Sequence, residues 1–546
     1  MSAKKRQTAK GKKQKTARRH SQALQAQIKS IARSQKKASA GQKATAQAVS
    51  FWEQLEFDKA IKYFKRAHRL EPHNIDIYLD LGRAHLLHFD QASADAIFDK
   101  ALKKTNRSIT TLMCIAESYQ KVPRYDLAEP FYREACMAED APAAAFLLHA
   151  NALERMHRIH EAEDALTKAE LISPDHPQLW LQQVHILKRK EQYSEAKALL
   201  EKLSARNDVP YETQWKSHYA LAQIHNALND YSAAIKCFLT AKNILRNEGE
   251  QSRAQLDKVN LENDRAMPHL TKDRFNAWHT RAKDLGKTRP LAMLIGHPRS
   301  GTTLLEQILD SHNGLISSDE STIFGNEVST PIAKATPKGT TLPEMLDSLT
   351  TDTIEMYRER YWKYTESYVR ESIGERTLLD KNPSLTLQLP VISAVFPETK
   401  IIFALRDPRD TIISCFMQEL MMNSISLTYL DLQTACEQYA RIMGLWLHLR
   451  EVLKNPWLEI RYEDLVKNTE EESKRVLTFL DLQWDETVLD YHTRAQKKFV
   501  SSPTYSDVTQ KVYQGAMGRW KNYQKHLEPH LHILEPFIKA FGYEPS

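Results

Sequence analysis

One alanine sets the architecture of the N-terminal half of this chain. It first occurs in Phe57-Asp-Lys-Ala60-Ile-Lys-Tyr-Phe64, three residues after an aromatic and four before an apolar side chain. The position recurs at Ala94, Ala128, Ala162 and Ala196, in successive steps of 34 residues. Ala234, in Tyr231-Ser-Ala-Ala234, follows after 38, because Asp208-Val-Pro-Tyr-Glu212 lengthens a turn. A repeat of this period specifies stacked pairs of antiparallel helices, each too small to bury its apolar face alone. The small residue lets two helices approach closely, and the flanking aromatics fill the space between pairs. Pro72 and Pro174 fall at repeat ends, where a helix must stop. Stacking buries a continuous core and leaves a concave groove.

The period is the tetratricopeptide signature, and residues 49–247 read as a solenoid of such repeats. Ahead of it, residues 1–50 hold 14 Lys and Arg and no acid, so the remaining chain carries 62 basic against 69 acidic residues. Residues 1–48 therefore read as a basic tail, disordered at first and weakly helical later through Ala23-Leu-Gln-Ala-Gln-Ile-Lys29. Such a tail can hold an anionic partner weakly by counterion release, or serve only to keep the chain in solution. Cys114, Cys136, Cys237, Cys415 and Cys436 lack paired or metal-like spacing and read as free thiols of a reducing compartment. No apolar run has the length of a membrane span, and no secretory signal is expected at the start, so the expected location is cytoplasmic. Residues 248–286 are polar and helix-favouring and read as a connector of one or two helices.

From residue 287 to 546 the text changes to short apolar strands alternating with helical patterns. That alternation implies a parallel sheet with helices on both faces, whose ligands bind at the carboxyl ends of the strands. Leu291-Ala-Met-Leu-Ile-Gly-His-Pro-Arg-Ser-Gly-Thr-Thr-Leu-Leu305 reads as strand, turn and helix start. Gly296 and Gly301 bracket four residues, the spacing of a phosphate-cradling loop. The turn can aim backbone N–H groups and a helix N-terminus at an anion. Thr302 stands where a nucleotide hydrolase has Lys, and a cation sits inside the loop instead, at Arg299. This argues against a kinase or nucleotide hydrolase and for a smaller anion with one further charged group. A second apolar run, Lys400–Leu405, leads into Arg406-Asp-Pro-Arg-Asp-Thr-Ile-Ile-Ser414, which can supply a guanidinium fork and a hydroxyl to phosphate.

Pro298-Arg-Ser-Gly-Thr-Thr-Leu304 resembles the 5′-phosphosulfate loop of the sulfotransferases, which use 3′-phosphoadenosine 5′-phosphosulfate (PAPS). The resemblance implies that Arg299, Ser300, Gly301, Thr302 and Thr303 hold the phosphosulfate, and that Arg406 and Ser414 hold the 3′-phosphate. It implies a lysine near the transferring group, Lys381 in Leu378-Leu-Asp-Lys-Asn-Pro383, and a tyrosine facing the cofactor, Tyr462. Arg519, in the late loop Gln514-Gly-Ala-Met-Gly-Arg-Trp520, and Thr504 complete the implied cofactor set. Gln418 replaces an Arg, and Asn382 an Asp, of some relatives. The pattern is most similar to tyrosylprotein sulfotransferases and to bacterial proteins that fuse such a domain to tetratricopeptide repeats.

The implied catalytic set is Glu320, Lys381 and Arg299, with Glu320 as the base that takes the acceptor's proton. Two alternatives are that Glu320 caps the following helix, and that His312 is the base. Asp319 is expected to point away from Glu320 if the segment is extended. Residues 330–375 are expected to line the acceptor entrance, although the aromatics of Met356–Tyr364 fit a core better than a cradle. The expectation is an α-solenoid of tetratricopeptide repeats followed by an α/β P-loop-like sulfotransferase domain with a central parallel sheet. It would use PAPS and no metal, on a protein or peptide hydroxyl presented by the repeats. The competing reading is a protein-binding repeat scaffold whose nucleotide domain is inactive.

Overall fold

The computed structural model describes residues 38–545 apart from 205, 207, 247–249, 282–283, 370, 420–422 and 496–514. Most of the basic tail, including its segment 23–29, lies outside the described residues, as do Thr504 and Gln514. The chain divides into two compact units, with the boundary after Ile115, inside the helix Ile109–Lys121.

The first unit holds paired helices such as Phe57–Leu70, Ile75–Leu87 and Gln91–Lys104. Gly82 lies so near its neighbour that a Cβ would come within 2.3 Å of Phe98 Cε1. The pairs continue in the second unit from Tyr125–Ala135 to Tyr231–Leu245. Ala60, Ala94, Ala128, Ala162, Ala196 and Ala234 are each 0% exposed. The turn within a pair repeats in the same register, with left-handed residues at Leu55, Phe89, His157, Glu191 and Asn229 (φ 57°, 63°, 61°, 58° and 61°). Glycine is the usual residue for that turn, and none of these is glycine.

The second unit also contains a five-stranded parallel sheet. Its strands are β1 (Leu291–Gly296), β2 (Leu315–Ser317), β3 (Thr377–Lys381), β4 (Lys400–Leu405) and β5 (Trp457–Arg461). Their spatial order is β2-β3-β1-β4-β5. The central β1 is buried along its whole length, as its unbroken apolar run requires. Leu294, Ile402 and Ala404 face the helices Thr302–Asp310 and Thr469–Phe479 through Leu305, Ile308, Val476 and Leu477. Phe403 points to the other face and stacks on Trp446 of the helix Leu432–Val452, ring centroids 3.9 Å apart. In register, Gly296 pairs with Ala404 and Leu294 with Lys381, which brings the carboxyl ends of β1, β3 and β4 together.

Within this unit the last repeat packs against the sheet domain. Lys242, on Tyr231–Leu245, is 1% exposed and donates to the Tyr429 carbonyl (2.6 Å) and the Tyr219 hydroxyl (3.2 Å). Its Nζ stands 4.2 Å from the ring centroid of Phe416. The Tyr523 hydroxyl donates to Asn226 Oδ1 at 2.7 Å. Two helices, Glu250–Ala266 and Lys272–Arg281, fill the connector, and Trp278 Nε1 donates to Asp347 at 2.8 Å.

Candidate active site

The loop after β1 has little room for side chains. A Cβ on Gly296 would lie 2.5 Å from the Ala404 carbonyl oxygen. Gly301 sits at φ 93°, and a Cβ there would lie 2.5 Å from Tyr462 Cδ2. Arg299, between them, is also left-handed at φ 71°. Gly301 is the N-cap of Thr302–Asp310 and supplies no side-chain cap, so the positive end of that helix faces the loop. Ser300 Oγ is buried with no hydrogen-bond partner. His297 is buried, and burial lowers its pKa to about 4 against the opposing bond to the Pro298 carbonyl, so it is neutral at pH 7.

Arg406 begins the second motif, directly after β4. It donates to the Arg299 carbonyl (3.1 Å) and the Ala516 carbonyl (2.6 Å), and its Nε is buried without a hydrogen-bond partner. The guanidinium lies 4.9 Å from the centroid of the Tyr462 ring. Asp407 caps the next helix, Pro408–Met417, by accepting from the Arg409 N–H. That helix carries Ser414, whose Oγ accepts from Arg299 Nε at 3.1 Å. Asp410, on the same helix, accepts from the N–H groups of Gly518 (2.6 Å) and Trp520 (2.8 Å). It thereby holds the late loop in which half-buried Arg519 stands.

Lys381 ends β3 and is 0% exposed. Its ammonium meets Glu320 at 2.8 Å, Asp319 at 2.9 Å and Glu306 at 3.3 Å. Burial works against the charge, but Asp319, Glu306 and Glu320 outweigh it and hold the pKa well above the ordinary lysine value. Asp380 lies beside this cluster. Burial pushes its carboxyl up to about 6, although it accepts from the Tyr361 hydroxyl (2.7 Å) and from Ser318.

Several local expectations change on this geometry. Asp319 does not point away from Glu320: at φ 50° it leaves the extended conformation, and both carboxylates turn to Lys381. Glu320 spends its carboxylate on Lys381, while the next helical turn begins only at Ile323. His312 has both ring nitrogens engaged, one with the Gln483 carbonyl (2.9 Å) and one with the Gly314 N–H (2.9 Å). Asn382 binds the Ser321 carbonyl and caps the turn at Ser384. Tyr357, Tyr361, Trp362 and Tyr364 are buried, as a core stripe would be. Sequence reasoning passed over Glu306, whose only signal is its place on the loop helix between the apolar Leu305 and Ile308. Among the described residues no group of three or more His, Cys, Asp or Glu is arranged around a metal position.

The fold is a tetratricopeptide solenoid followed by a parallel α/β domain of the sulfotransferase type. Residues 290–486 match the model of the Sulfotransferase family, and residues 45–108 and 181–246 match the tetratricopeptide repeat; the chain is a tetratricopeptide-repeat protein with a sulfotransferase-family domain. A protein of Aquifex aeolicus (strain VF5), named "Uncharacterized protein", is 24% identical over 457 residues, 76% of this chain and 57% of its own length. The protein-tyrosine sulfotransferase of Drosophila melanogaster is 24% identical over 306 residues, 52% of this chain and 56% of that protein. The chain thus spans little more than half the length of these relatives. A solved sulfotransferase domain of the Synechococcus PCC 7002 olefin synthase is 19% identical and covers 48% of this chain and 98% of its own, with a TM-score of 0.34. Among the described residues no helix is long and apolar enough to cross a membrane.

Proposed function

We propose that the chain moves the sulfuryl group of PAPS to a hydroxyl of a protein or peptide, with tyrosine as the side chain that the name of the Drosophila relative suggests. The observation that carries this reading is the meeting of Arg299, Ser414 and Arg406 at the carboxyl edge of one parallel sheet, beside Lys381 and Glu320. Two orphaned buried donors, Ser300 Oγ and Arg406 Nε, suit an anionic ligand that would satisfy them. In this reading Arg299, Ser300, Gly301, Thr302 and Thr303 hold the phosphosulfate, and Arg406 and Ser414 hold the 3′-phosphate. Tyr462, Thr504 and Arg519 complete the nucleotide site.

PAPS supplies an activated sulfuryl group on a phosphate leaving group. The acceptor oxygen bonds to sulfur as the bond from sulfur to the 5′-phosphate oxygen breaks, and the electron pair leaves with 3′,5′-adenosine diphosphate. Glu320 takes the acceptor's proton, while Arg299, Lys381 and the loop amides face the charge that develops on the transferring and leaving oxygens. Repeat residues come near this edge. Lys242 of the last repeat donates to the Tyr429 carbonyl, and the Tyr429 ring stands beside His297 of the loop after β1. That proximity supports presentation of the acceptor by the repeats.

Transfer of label from [35S]PAPS to tyrosine-containing peptides and proteins tests the reading. Glu320→Gln keeps the shape and removes the basicity, and should lower turnover by roughly 10²–10⁴ with nucleotide affinity within a few-fold. A wild-type chain that binds 3′,5′-adenosine diphosphate but labels no acceptor would be the inactive scaffold instead.

A further inference from the structure

Glu306 is the one carboxylate of the lysine cluster that no acceptor can reach. It is 0% exposed, stands on the second turn of the loop helix Thr302–Asp310, and faces Lys381 at 3.3 Å. Its other oxygen accepts from Ser317 Oγ, at the end of β2. Ser317 Oγ also accepts from the Asp319 N–H at 3.0 Å, and the Ser317 N–H donates to Asp310 at 2.9 Å. One short network therefore joins the phosphosulfate-type loop helix, the turn that carries Asp319 and Glu320, and the end of β3.

We propose that Glu306 is a positioning residue, which fixes the Lys381 ammonium while Glu320 exchanges its contact with that lysine for the acceptor's proton. The inference rests on the sulfuryl-transfer reading. When Glu320 takes the proton it stops being an anion, and Lys381 loses one of three charge partners. Glu306 and Asp319 remain, so Lys381 keeps its charge and its place beside the transferring group through the step. Asp319 is part-exposed and on a strained turn. Glu306 is held by a helix and a strand end, and so it is the fixed partner. Among the described residues, Asp380 and Tyr368 are further titratable groups near Lys381.

Glu306→Gln in the full chain keeps the volume and can keep the Ser317 bond while it removes the charge. Trace acetylation across pH 7–11, read residue by residue by mass spectrometry, reports how firmly each ammonium is held. Lys381 should become at least tenfold more reactive near pH 9 in Glu306→Gln, while exposed Lys59 and Lys258 stay unchanged. PAPS turnover should fall tenfold or more in kcat, with KM for PAPS and affinity for 3′,5′-adenosine diphosphate within about threefold. Glu306→Asp should restore most of both readouts. Unchanged Lys381 labelling would overturn the proposal, as would a rise shared by all lysines, which marks general loosening. If the wild-type chain binds no 3′,5′-adenosine diphosphate, the sulfuryl-transfer reading fails, and the labelling still decides whether Glu306 holds Lys381.

Discussion

Two lysines are buried to nearly the same degree, and their surroundings differ completely. Lys381, at the sheet edge, is 0% exposed among three carboxylates. Lys242, on the last repeat helix, is 1% exposed against a carbonyl, a phenol and the face of Phe416. Burial pulls the Lys242 pKa down to about 7, with Cys415 and Asp431 opposing too weakly to hold it. At Lys381 burial acts in the same direction and is overruled. The edge of the sheet has the means to keep a cation, as charge stabilisation of a leaving group requires. The repeat contact is filled by a long side chain whose amine can donate to both oxygens without carrying a charge.

Replacing each lysine by methionine puts the contrast under load. Lys381→Met leaves buried carboxylates uncompensated and should destabilise the chain by about 3–5 kcal/mol in denaturant unfolding. Because the folded pKa of Lys381 is raised, its contribution is present throughout the neutral range and is lost only as pH rises through that value. Lys242→Met should act in the opposite sense below pH 7, stabilising by about 1–3 kcal/mol. Lys242 binds its proton less tightly in the folded chain than in the unfolded one, so wild-type stability rises with pH between about 7 and the ordinary lysine value. The advantage of Lys242→Met should therefore shrink by up to ~1.4 kcal/mol per pH unit across that window. A gap between the two melting curves that does not change with pH would mean that Lys242 stays charged when buried.

The backbone gives a second, smaller contrast. Gly301→Ala places a Cβ at φ 93° and against the Tyr462 ring, and should lose about 1–3 kcal/mol of stability together with nucleotide affinity, read by thermal shift and calorimetry. In the repeats the left-handed turn residues already carry side chains. Glu191→Gly should gain about 1 kcal/mol in thermal unfolding, and a loss would show that the Glu191 side chain supports the turn.

The alanine register was legible because each copy must fit the same tight crossing, so the constraint repeats in the text as often as in the solenoid. The strand ends were legible for a related reason: a buried parallel strand must be an apolar run, and the tight turn after β1 leaves no room for a Cβ at Gly296 or Gly301. Lys381 and Glu320 could be reached through the resemblance. Asp319 could not, because its turn toward Lys381 depends on a left-handed backbone that no glycine announces. Glu306 and Lys242 are charged residues on helices, a position that usually faces water. Their burial comes from partners distant in sequence, 75 residues on for Glu306 and 187 for the Tyr429 carbonyl that receives Lys242.

The central claim is that the edge formed by β1, β3 and β4 receives a nucleotide carrying both a 5′- and a 3′-phosphate. Isothermal calorimetry with 3′,5′-adenosine diphosphate and with AMP, on the wild-type chain and on Arg406→Ala, tests it most directly. Arg406→Ala removes charge-assisted contacts of roughly 1.5–3 kcal/mol, so affinity for 3′,5′-adenosine diphosphate should fall at least tenfold while AMP binding barely changes. Equal losses for the two ligands, or wild-type binding that does not distinguish them, would contradict the account.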